Sequence, residues 1–147
     1  MYRLFLVIDP DPATRVQLPR QLTMLYPGAD VLVATSAEDA FQQLEASHAA
    51  PSLIFSEVDL PGMSGLEFLA TLRQERGLER TPVAMLAERS SDRQVVACYR
   101  LGACAFLAKP VRPFELREAV RDFAVAATRM VAQASPDPGV GPRASAA

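Results

Sequence analysis

Five short, nearly continuous apolar runs punctuate this chain, at residues 4–8, 31–34, 53–55, 83–86 and 105–107. A strand with one wet face would alternate apolar and polar residues. Unbroken runs of this length suit strands buried on both faces, as in a parallel sheet. Between them lie longer stretches with helical spacing, such as Leu66, Leu69, Ala70 and Leu72, or Val120, Phe123, Ala127 and Val131. Five strands alternating with five helices predict an open α/β sandwich: one five-stranded parallel sheet, doubly wound, with right-handed crossovers.

The element boundaries carry start and stop signals. Asp11 before Pro12 offers an N-cap with proline at the first helical position, and Pro113 fits the same position in the last helix. Ser36 with Asp39, and Ser91 with Gln94, are spaced like capping boxes, although Asp is a short substitute for Glu. Gly102 follows Leu101 where a helix C-cap is wanted. Pro19 falls inside the first helix, where proline costs about 3 kcal/mol, so a bend or a break and restart is expected there.

The 147 residues suffice for one domain, and half of them are apolar, enough for a core without disulfides or a structural metal. Residues 2–130 are assigned to that domain. Residues 133–147, rich in Pro, Gly, Ala and Ser, are expected to be a disordered tail with no output domain. The formal net charge is −2 with scattered Lys and Arg, which argues against direct nucleic-acid binding. The chain lacks a run of about 18 apolar residues that could span a bilayer. Its first apolar run is too short for a signal-peptide core, so a cytoplasmic, soluble protein is expected. Cys98 and Cys104 lack metal-ligand spacing and read as buried free thiols; His48, the only histidine, reads as a solvated helix cap.

In open α/β sheets, function collects beyond the carboxyl ends of the strands. Those ends bring Asp9, Pro10 and Asp11, then Glu57 and Asp59, then Ala87 and Glu88, then Lys109 and Pro110 to one rim. Asp9-Pro-Asp-Pro after the first strand, Leu60-Pro-Gly-Met-Ser-Gly-Leu-Glu after the third and Lys109-Pro110 after the fifth resemble the receiver domains of bacterial two-component systems. Arg100-Leu-Gly-Ala-Cys-Ala-Phe resembles that family's approach to its fifth strand, and the match covers roughly residues 2–130. The resemblance implies a flavodoxin-like sheet with strand order 2-1-3-4-5. It also implies an acidic pair that binds Mg²⁺, a phosphoacceptor Asp, a Thr or Ser switch residue, and a Lys followed by a proline that is usually cis. A cation is needed because a carboxylate attacks a dianionic phosphoryl group poorly unless the developing charge is neutralised.

This chain departs from that pattern residue by residue. Asp9 matches the first acidic position, but the second is Pro10, which has no side-chain oxygen. The acceptor position is Glu57, and the hydroxyl position is Ala87 with Glu88 beside it as an added negative charge. Phe106 stands at the aromatic switch position without a phenolic hydroxyl, whereas Lys109 and Pro110 match. The Glu57 carboxylate reaches about 1.5 Å farther than an aspartate's, which places it toward Lys109 and predicts an ion pair there. Asp9 and Glu57 would then be at most a weak Mg²⁺ site, and no cofactor is required.

The expected role is an atypical, phosphorylation-independent receiver, not an enzyme, which binds a signalling kinase, an output protein or itself. Its partner face would be the fourth helix, fifth strand and fifth helix, with Tyr99, Arg100, Phe106, Arg117 and Arg121 as candidates. One alternative is a phosphorelay receiver that accepts the phosphoryl group on Glu57 or Asp59. Another is a phosphatase resembling the haloacid dehalogenases, suggested by Asp9-x-Asp11 and Lys109. Those enzymes need an acidic pair on a later strand end, whereas Glu115, Glu118 and Asp122 fall in the predicted last helix and Asp137 in the tail.

Overall fold

The computed structural model describes residues 3–125 and the two-residue strand Thr128–Arg129. Five parallel strands form one sheet: β1 (Leu4–Ile8), β2 (Asp30–Ala34), β3 (Leu53–Glu57), β4 (Val83–Ala87) and β5 (Ala105–Ala108), in the order β2-β1-β3-β4-β5. This is the predicted order, and every strand extends the apolar run that announced it by no more than two residues. The five helices are α1 (Pro12–Leu25), α2 (Ala37–Ser47), α3 (Gly65–Leu72), α4 (Asp92–Arg100) and α5 (Pro113–Phe123).

The pleat divides each strand between two cores. Phe5 and Val7 of β1, with Phe55 and Leu86, pack under Leu18 and Leu22 of α1 and Leu116 and Val120 of α5. Leu6 and Ile8, with Ile54 and Met85, face Leu44 of α2, Phe68, Leu69 and Leu72 of α3 and Cys98 of α4. Both faces are covered, which is why the strands read as unbroken apolar runs.

Capping follows the sequence closely. The Asp11 side chain accepts the Ala13 amide ahead of Pro12, and Ser36 accepts the Asp39 amide. Asp39 reaches back to the Thr35 amide instead of closing a box on Ser36. Ser91 caps α4 through the Gln94 amide, and Gly102 takes the left-handed φ of +94° that follows that helix. His48 is exposed and caps α2 with a left-handed φ of 52°.

Three expectations need correction. Pro19 neither ends nor restarts a helix: α1 runs unbroken from Pro12 to Leu25, anchored by Leu18 and Leu22. The last helix stops at Phe123, because Ala124 turns to extended backbone (ψ 138°). Its apolar spacing therefore does not continue helically beyond Phe123; Ala127 and Val131 themselves are outside the described residues. Instead the Val125 amide donates to the Ser52 carbonyl, and Thr128–Arg129 pairs antiparallel with Ala49–Ala50 at the base of the sheet. Tertiary pairing overrides helical periodicity here. Third, Cys98 is buried as expected, but Cys104 is only partly so. The tail expected at residues 133–147 lies outside the described residues.

Candidate functional site

The sheet register brings the predicted residues to a common rim. Ile8 pairs with Ser56, Glu57 with Leu86, and Ala87 with Ala108, so Asp9, Glu57 and Lys109 emerge together. Backbone hydrogen bonds continue past the strand ends and fix the loops: Asp9 N to Ala34 O, Val58 N to Leu86 O and Lys109 N to Ala87 O. The Lys109-Pro110 peptide bond is cis.

Lys109 Nζ lies 2.7 Å from Glu57 Oε1 and 2.8 Å from Asp9 Oδ2. The sequence had suggested the first contact and not the second. Each carboxylate uses its other oxygen on a backbone amide two residues along the chain. Asp9 Oδ1 accepts Asp11 N–H at 2.9 Å, and Glu57 Oε2 accepts Asp59 N–H at 2.9 Å. Asp9 is wholly buried and Glu57 only 6% exposed. Burial alone would lower the Lys109 pKa, but hydrogen bonds and charge from Asp9 and Glu57 outweigh it, and the net shift is upward. The result is a buried cation held between two anions, all four carboxylate oxygens partnered.

Second-rank contacts hold this arrangement in place. The Arg15 guanidinium donates to the carbonyls of Asp9 (3.0 Å) and Pro10 (2.7 Å), pinning the loop after β1. Gly65, first residue of α3, packs against the end of β3 so tightly that a Cβ there would lie 2.4 Å from the Glu57 carbonyl oxygen. Ser64 and Glu67 form a full capping box at this helix start. Glu38 of α2 accepts the Met63 amide at 3.3 Å, tying the same loop down from the other side. Sequence reasoning missed these supports, although the Ser64-x-x-Glu67 spacing is a recognisable start signal.

The remaining rim residues are arranged unevenly. Ala87 is buried at the end of β4 and carries only a methyl group. Glu88 and Asp59 are exposed, and Phe106 is partly buried against the core that includes Ala87 and Cys98. Glu115, Glu118 and Asp122 all lie on α5, where the latter two pair with Arg121 and Glu115 accepts the Arg112 amide. Burial pushes the Cys104 thiol up to about 11, against weaker opposing effects of backbone hydrogen bonds and Arg73.

Comparison with known proteins gives this geometry a context. A family model described as the response regulator receiver domain matches residues 5–121. The chain is 34% identical over 133 residues to the sensory/regulatory protein RpfC of Xanthomonas campestris pv. campestris (strain 8004), covering 88% of this chain and 18% of that protein. It is 31% identical over 120 residues to response regulator Rre1 of Synechocystis sp., covering 80% of this chain and 50% of that one. The chain thus spans half or less of the length of these relatives. In structure it is similar to the chemotaxis response regulator CheY4 of Vibrio cholerae, with a TM-score of 0.72 and 26% identity over 82% of this chain and 98% of that one.

Proposed function

The chain belongs to the response regulator receiver domain family, and on that premise we propose that it is a phosphorylation-independent signalling module that binds another protein in the cytoplasm. The observation that carries this reading is the Lys109 ammonium bridging Asp9 and Glu57. The resemblance implies a lysine that holds the incoming phosphoryl group. Here Glu57 supplies a permanent anion in its place, and Ala87 supplies no hydroxyl to draw the loop after β4 inward.

The metal that the family uses does not fit this donor set. Mg²⁺ needs near-octahedral oxygen ligands. Pro10 offers no side-chain oxygen, and every oxygen of Asp9 and Glu57 already accepts a hydrogen bond. Among the described residues, no group of three or more His, Cys, Asp or Glu is placed to hold a metal ion. Without the cation, in-line attack by a carboxylate on a phosphoryl group lacks its charge stabilisation.

A module without a phosphoryl switch works through its surface. Val96, Tyr99 and Leu101 are exposed on or beside α4, and Phe114 on α5, with Phe106 between them on β5. Arg100 and Arg117 are exposed on the same elements. This face is our candidate for a kinase, an output protein or a second copy. Among the described residues no helix is long and apolar enough to cross a membrane.

The exposed carboxylate of Asp59 keeps one second reading open, a receiver that accepts the phosphoryl group there. Incubation with acetyl phosphate and Mg²⁺, followed by intact-mass measurement under neutral conditions, separates the two. Unmodified protein is expected. An acid-labile adduct mapping to Asp59 or Glu57 would replace the proposal with the phosphorelay reading.

A further inference from the structure

A groove of about 410 Å³ opens between α2 and α3, on the sheet face opposite α1. Leu44 and Leu78 make its floor, and Phe41 lies half-buried along it, in tilted contact with Phe68 at a ring-centroid distance of 5.0 Å. Glu45, in the last turn of α2, and Glu75, just past the end of α3, line it from its two sides. Both are exposed, as is Arg76 beside them.

The negative charge of this groove is unmatched. Among the described residues, neither Glu45 nor Glu75 makes an ion pair, and Arg76 pairs with neither. Both α2 and α3 end without a basic residue in the last turn, so the partial negative charge of two helix carboxyl ends adds to that of the side chains. Arg73, which follows α3, donates instead to the carbonyls of Thr81 and Gly102, and His48, which caps α2, does not line the groove. What the groove offers is an apolar floor under uncompensated negative charge.

We propose that the groove docks a basic amphipathic helix of a partner protein. A Lys or Arg of that helix places its head between Glu45 and Glu75 while its methylene stem lies along Phe41, and a neighbouring apolar side chain covers Leu44 and Leu78. A helix suits the space because two packed helices leave a furrow that accepts the ridge of a third. Charge selects the partner, since an acidic helix of the same shape would bring like charges together. The inference rests on the reading of this chain as a protein-binding module, and it gives that module a surface separate from the rim and from α4.

The test is an NMR titration of the full, ¹⁵N-labelled chain with a helical peptide of about 14 residues that carries leucines and arginines on one face. One control peptide replaces the arginines by glutamate, and a second replaces the leucines by serine. Shifts are expected at Phe41, Leu44 and Leu78, with binding about threefold weaker in Glu45→Gln and in Glu75→Gln and about tenfold weaker in the double variant, as for exposed charge pairs. Arg76→Gln is expected to bind at least as tightly as wild type. The substituted residues are exposed, so all these variants should keep the wild-type melting temperature. Equal binding of either control peptide, unchanged affinity in the double variant, weaker binding by Arg76→Gln, no binding at all, or shifts centred on α4 or the rim would overturn the proposal. So would the same shifts produced by arginine amide alone, or by concentrating the chain without peptide, which would put a second copy in the groove. Acetyl phosphate and Mg²⁺ added to the same samples report separately on whether the chain works without phosphorylation.

Discussion

Lys109 is the residue on which the rim depends. Its side chain is 8% exposed and bridges two carboxylates that are themselves buried. Such an arrangement adds little compared with an apolar replacement of the whole set, but removing one member strands the others. Lys109→Ala leaves Asp9 and Glu57 facing each other without a cation, and is expected to lower stability by about 3 kcal/mol. Urea unfolding at pH 7 measures this; a midpoint equal to wild type would show that the bridge is energetically idle. The pH dependence has a definite sign. The folded-state pKa of Lys109 is raised, so its contribution is complete below the unfolded lysine value of about 10.4 and is lost as pH rises through the higher folded value. The gap between wild type and Lys109→Ala should therefore narrow only in strongly alkaline solution.

At the scale of elements, the junction between β3 and α3 matters most. Gly65 lets the start of α3 sit directly on the Glu57 carbonyl, with Gly65 N–H bonded to Val58 O at 2.9 Å. Alanine there would drive its methyl group into backbone that is pinned by strands on both sides. Gly65→Ala is expected to cost about 3 kcal/mol, at the upper end for overpacking. It should also displace Glu57, so its Lys109 pKa should fall along with its melting temperature. A stable variant with an unshifted Lys109 would refute this coupling. α4 is built differently: Cys98 is its one buried residue.

The architecture was legible in the sequence because most strands are buried on both faces and because Asp11, Ser36 and Ser91 cap three of the helices. The strand order could not come from periodicity, and followed from the resemblance carried by the rim motifs. The site was legible in part. Asp9, Glu57 and Lys109 could be placed at one rim, but the second arm of the bridge could not, since nothing in the spacing says that Lys109 reaches across to Asp9. Arg15 and Gly65 were silent for a similar reason: both act through backbone carbonyls, which leave no trace in side-chain patterns. The end of α5 was misjudged because the pairing between Ala49–Ala50 and Thr128–Arg129 joins segments far apart in sequence.

For the whole molecule, our reading is that the departures from the family pattern act together. Where the resemblance implies a metal ligand, an acceptor and a hydroxyl, this chain has Pro10, Glu57 and Ala87, on a sheet with the receiver strand order. Restoring one function leaves the chemistry short of the other two. Pro10→Asp, Glu57→Asp and Ala87→Thr are each expected to remain unmodified by acetyl phosphate with Mg²⁺, whereas the triple variant is expected to form an acid-labile adduct. Modification of any single variant, read by intact mass, would show that the losses are not interdependent.

The antiparallel pairing of Thr128–Arg129 with Ala49–Ala50 carries a practical consequence. It delivers the chain to the pole opposite the rim, at the amino ends of the strands. A fluorophore attached at Arg129 itself would therefore sit away from the rim. Immobilised through that residue, the molecule would present its rim outward to whatever flows past.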